Sequence, residues 1–101
     1  MTPICCDRTS STGDERREHQ IALAGFREAI ETSTEIQNGF EFQIGAKFDL
    51  VSVARVIQFE RRCCPFLSFE VRANAGAEPL WVRISGPEGA REVIAAGILG
   101  N

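Results

Sequence analysis

The chain predicts an α+β fold, with an antiparallel sheet of three or four strands and helices packed on one face. Three observations carry this reading. Apolar residues recur at three- and four-residue spacing in three separate stretches, which is the helical period. Other short stretches alternate apolar and polar residues one by one, which is the strand period. Turn signals separate the two kinds and give the order helix, hairpin or strand, helix, hairpin, helix. With 101 residues, 44% hydrophobic and 25% charged, the chain suits one soluble domain with one modest core.

Residues 1–13 read as an N-terminal arm without periodicity, and 14–101 as the single domain. Thr12-Gly13-Asp14-Glu15 fits a capping box, with Thr12 as N-cap and Glu15 reaching back. A helix is expected over Asp14–Glu31, its apolar face formed by Ala22, Leu23, Phe26, Ala29 and Ile30. His19 falls on that face near its start. From Thr32 to Gly45 the pattern alternates, with a turn signal at Asn38-Gly39. A three-residue loop over Gln37–Gly39 would oppose Ile36 to Phe40 and Thr34 to Phe42, a better match than a two-residue loop opposing Ile36 to Glu41. The second half is the firmer strand, with Phe40, Phe42 and Ile44 inward and Glu41 and Gln43 outward.

Asp49 can cap a second helix running to Cys64. Its apolar arc passes through Leu50, Val53, Ala54, Val56, Ile57 and Phe59. At about 100° per residue, Glu60 lands inside this arc rather than on the polar side. Pro65 disfavours a helical conformation at Cys64, so the helix should stop there. Phe66–Ala73 then reads as a strand with Leu67, Phe69, Val71 and Ala73 on one face. Leu80–Ser85 reads as its partner, with Leu80, Val82 and Ile84 on one face and Trp81 and Arg83 on the other. Ser85-Gly86-Pro87-Glu88 starts a last helix carrying Ala90, Val93, Ile94, Gly97 and Ile98. The glycines of that turn read as punctuation, because no phosphate-loop lysine accompanies them.

The formal net charge of −3 leaves no basic footprint for nucleic acid or an anionic membrane. No apolar run approaches the roughly 18–20 residues that span a bilayer. The first thirteen residues hold no hydrophobic core of a signal peptide, so a cytoplasmic location is expected. A homodimer is compatible with the sequence.

Four cysteines fall as two adjacent pairs, Cys5-Cys6 and Cys63-Cys64. A secreted disulfide framework would spread them, whereas paired cysteines in a reducing compartment point to metal or redox chemistry. Glu60 precedes Cys64 by four residues and so lies beside it. Arg61 and Arg62 favour thiolates at this helix end. The helix C-terminus and Glu60 oppose them. Such a site suits a soft cation that neutralises the sulfurs better than it suits two bare thiolates. Cys63 and Cys64 are the central ligands, with Cys5 or Cys6 as a third and His19 or Glu60 behind. Three soft ligands suit Hg(II), As(III) or Cu(I), and four including His or carboxylate suit Zn(II). The plainer alternatives are packed cysteines, a Glu60 bridged to an arginine, and a His19 satisfied on its helix face.

The run Glu60-Arg61-Arg62-Cys63-Cys64-Pro65-Phe66-Leu67-Ser68-Phe69, with Leu80-Trp81-Val82 and Ser85-Gly86-Pro87-Glu88-Gly89, resembles a family of small bacterial proteins with a Cys-Cys-Pro-Phe signature. Similar segments occur as C-terminal extensions of some MerR-type metal-responsive regulators and near mercury- or metal-resistance genes. Ile4-Cys5-Cys6 resembles the family's Ile-x-Cys start, which carries one cysteine where this chain has two. Asn38-Gly39-Phe40 resembles its Asp-Gly-Tyr turn. The resemblance implies a site for soft heavy metals at Cys63, Cys64 and Glu60, with one N-terminal cysteine. Four functions follow as expectations: a metal-binding protein for sequestration or relay; an enzyme in the manner of organomercurial lyases, with Cys63, Cys64 and Glu60 catalytic; a disulfide redox sensor; or an interaction domain with structural cysteines.

Overall fold

A computed structural model describes residues 13–76 and 78–100. It contains α1 (Gly13–Ala29), β1 (Ile30–Ile36), β2 (Gly39–Ile44), α2 (Leu50–Cys63), β3 (Ser68–Ala73), β4 (Leu80–Ser85) and α3 (Ala90–Gly97). The four strands form one sheet in the order β1-β2-β4-β3, with every neighbouring pair antiparallel. The α+β expectation therefore holds, with four strands rather than three.

All three helices contribute to one core against one face of the sheet. Phe40, Phe42 and Ile44 of β2 and Val82 and Ile84 of β4 are buried, as the alternation requires. They meet Leu23 and Phe26 of α1, Val53 and Val56 of α2, and Ala90 and Ile94 of α3, with Ile98 following. Phe42 is the hub. Phe26 meets it edge-on at 5.8 Å and Phe40 stacks on it at 5.8 Å. Aromatic pairs at such spacings add specific geometry to the area they bury.

α1 ends two residues earlier than its apolar period suggests. Ile30 leaves the helix, enters β1 and pairs with Ile44. The run Ile30–Ile36 is rich in β-branched residues, which favour the strand. Gly45 N–H donates to the Ala29 carbonyl at 2.8 Å, satisfying the helix end. Thr12, the expected cap, lies outside the described residues.

The β1–β2 hairpin forms, but its loop is the two residues Gln37 and Asn38, and Ile36 faces Gly39. Neither expected register holds: Glu35 faces Phe40 and Thr34 faces Glu41. β4 dictates this shift. A Cβ on Gly39 would land on the Ile84 carbonyl oxygen and 2.7 Å from Ser85 Cα, so glycine is needed in the strand rather than in the turn. Asn38 takes the left-handed conformation instead, at φ 56°.

α2 matches its expected bounds. Asp49 is the N-cap and its Oδ1 accepts from Ser52 N–H at 2.9 Å. Its apolar arc is narrower than expected: Val53 and Val56 are buried, but Leu50 and Ala54 are exposed. β3 begins at Ser68 rather than Phe66, because Cys64–Leu67 closes a turn in which Leu67 N–H donates to the Cys64 carbonyl at 3.1 Å.

Three loops meet at one end of the sheet. Gly86 N–H donates to the Asn38 carbonyl at 3.1 Å. A Cβ on Gly86 would lie 3.3 Å from the Phe66 carbonyl oxygen, 3.2 Å from Leu67 and 3.0 Å from the Ala90 side chain. The hairpin tip, the turn after the cysteines and the start of α3 thus close around Gly86.

Candidate functional site at the end of the second helix

α1 and α2 run antiparallel, as three polar links between them show. Glu15 meets Arg62 at 2.8 Å, Glu18 meets Arg55 at 3.4 Å, and His19 meets Glu60. The start of α1 therefore lies at the end of α2, beside Cys63 and Cys64. Gly13, where the described residues begin, lies at that end.

The His19–Glu60 link is the chemically unusual one. Both side chains are buried, His19 at 8% exposure and Glu60 at 3%. The His19 Nε2–H donates to Glu60 Oε2. The imidazole ring also stacks on Phe59, at 5.2 Å between centroids and 16° between planes. Phe59 in turn lies under the Arg55 guanidinium at 5.9 Å. Glu60 thus sits inside the apolar arc as its sequence position requires, and its partner is a histidine rather than an arginine. The outer links, Glu15–Arg62 and Glu18–Arg55, are more exposed and contribute little on their own. The hydrogen bond to Glu15, then its charge, hold Arg62 protonated beyond its already high range. Arg62 is thus ion-paired with Glu15 on the outer side of the helix pair.

Cys63 ends the regular helix and Cys64 is its C-cap, at φ −129° and ψ 75°. The Cys64 N–H still donates to the Glu60 carbonyl, at 2.6 Å. The backbone therefore leaves the helix between the two cysteines, at the residue before Pro65, as the proline demands. Both cysteines are buried, Cys63 at 4% and Cys64 at 0%. Cys64 is a disulfide half-cystine in this structure. Cys5 and Cys6, the expected third ligands, lie outside the described residues.

Of the expected site residues, the fold brings Cys63, Cys64, Glu60 and His19 to one end of the α1–α2 pair. His19 and Glu60 are joined to each other. No group of three or more His, Cys, Asp or Glu side chains gathers into a metal-sized cluster among the described residues. The histidine partner of Glu60 was not chosen by sequence reasoning. The signal was present: one buried-face histidine on the first helix and one buried-face carboxylate on the second, each needing a partner.

No helix among the described residues is long and apolar enough to cross a membrane. In comparison with known proteins, the chain matches no family model, no curated protein and no solved structure.

Proposed function

We propose that this protein binds a soft, thiophilic metal ion as cargo through Cys63 and Cys64, for sequestration or relay in the cytoplasm. The cargo class is Hg(II), As(III), Cu(I) or Zn(II). The observation that carries the reading is the placement of two adjacent, buried cysteines where the backbone leaves a helix. Burial penalises bare thiolates, and a soft cation removes that penalty by neutralising them. The C-cap geometry of Cys64 frees its side chain from the helical spacing of about 100° that would otherwise hold adjacent residues apart. A third sulfur from Cys5 or Cys6 would complete a three-coordinate soft site. The start of α1, where Glu15 meets Arg62, is consistent with that supply.

The test is titration of Hg(II) or As(III) into the fully reduced protein and into a Cys63→Ala, Cys64→Ala variant. One equivalent bound by the wild type, with the affinity lost in the variant, supports the reading. Equal affinity in the two overturns it.

A second reading rests on the disulfide state of Cys64. In it the same helix end works as a thiol–disulfide switch, and metal capture requires its reduced form. Differential alkylation across glutathione redox buffers would reveal a midpoint within the cellular range. A Cys64 that stays in one redox state throughout that range removes the switch.

A further inference from the structure

We propose that β3 pairs antiparallel with β3 of a second copy of this chain, centred on Val71, so that the sheet continues across a two-fold axis. β3 lies at one edge of the sheet, and its residues other than Phe69 are exposed. Val71 is 39% exposed although it points to the helix-bearing face, opposite Val82. An open edge is normally blunted by proline, by a bulge or by like charges. β3 has no proline, and its register with β4 runs unbroken from Ser68–Ser85 to Ala73–Leu80.

The charges of β3 are self-complementary. Antiparallel pairing about Val71 places Glu70 opposite Arg72 of the second copy, and Arg72 opposite its Glu70. On the outer face, register already aligns Glu41 with Arg83 and Arg83 with Glu70, and Glu41 and Arg83 are paired at 3.1 Å. That row of alternating charge ends on an acid at the open edge. The two-fold supplies the next base. Arg72 is already held in this layer, with its guanidinium 5.3 Å from the Trp81 ring. On the helix-bearing face, Val71 meets Val71 and Phe69 meets the small Ala73, which extends the apolar layer across the axis.

The opposite edge provides the contrast. β1 reads Ile30-Glu31-Thr32-Ser33-Thr34-Glu35-Ile36, a palindrome about Ser33. The same two-fold pairing there would set Glu31 against Glu35 twice. Its register also shifts between Ile30 and Thr32, a further block. One edge is therefore guarded against its own copy and the other is fitted to it.

Six-residue strands bury less than a standard interface, so the dimer should be weak, with a Kd of about 10–100 µM. The test is analytical ultracentrifugation of the full chain with a phosphine reductant, which excludes intermolecular disulfides. Glu70→Arg sets arginines against arginines, and Arg72→Glu sets acids against acids. Each should weaken self-association at least about tenfold, because two cross-strand pairs change sign. An equimolar mixture of the two variants restores every opposite-charge pair and should dimerise as the wild type does. Val71→Lys, which places two ammonium groups at the axis, should also abolish the dimer. Circular dichroism confirms that each variant is folded. A wild type that stays monomeric to about 1 mM, single variants that associate like wild type, or a mixture that fails to associate would each overturn the proposal.

Discussion

Removing His19 tests the buried polar link between the helices. In His19→Ala, Glu60, only 3% exposed in the wild type, loses its donor. Leaving a buried acceptor unpaired costs about 1–3 kcal/mol, and about 3–5 kcal/mol when the group is charged and its pair is broken. The lost stacking on Phe59 adds about 0.5–1.5 kcal/mol. The expected loss is therefore about 3–4 kcal/mol, a large share of the 5–15 kcal/mol typical of a domain. The thermal midpoint should fall by roughly 12–32 °C. Glu60→Gln should cost only about 1 kcal/mol, because its amide oxygen still accepts from His19. The double variant His19→Leu, Glu60→Leu removes both polar groups and should lie within about 1–2 kcal/mol of wild type. Urea unfolding of the four reduced proteins, with a common m-value, measures their stabilities. The reasoning fails if His19→Ala costs less than about 1 kcal/mol, or if the double variant is as unstable as the single one.

Three further outcomes are expected. Gly39→Ala should destabilise by at least about 2 kcal/mol, because its methyl group meets β4 backbone rather than a movable side chain; urea unfolding reads it. The Ser52 backbone N–H, then its side chain, hold the Asp49 carboxyl below its usual pKa of 3.8. Its contribution is thus complete above that value and fades as pH falls through the lowered one. Asp49→Ala should melt below wild type at neutral pH, with the gap closing at strongly acid pH, whereas Asp49→Asn should keep the cap throughout. Finally, with the protein reduced, Cys63 and Cys64 should react with an alkylating reagent much more slowly in buffer than in urea, because both are buried. Equal rates would show that this helix end opens freely.

Where one local force dominates, the sequence was easy to read. Asp49 and Pro65 bracket α2 by capping and by steric exclusion, so both ends were legible. The alternation of β2 and β4 survived because a buried face tolerates no slip. Misreadings arose where two local rules competed. Ile30 satisfies the helical period of α1 and the β-branched run of β1, and pairing with Ile44 settled the matter. Asn38-Gly39 looked like the hairpin loop, but a strand distant in sequence claimed Gly39. Glu60 was legible as a buried carboxylate because its angle on the helix wheel is local. Its pairing with His19 was not, because it depends on how α1 lies against α2.

The convergence at Gly86 has a bearing on inheritance. The Cys-Cys-Pro-Phe turn and the Ser-Gly-Pro-Glu turn lie about twenty positions apart, yet a side chain at Gly86 of the second would press on Phe66 and Leu67 of the first. The hairpin tip is tied to the same point through Asn38. Natural variation at these three places should therefore be correlated rather than independent. A descendant that gains bulk at Gly86 would have to reshape the segment that follows its cysteines without altering a single sulfur.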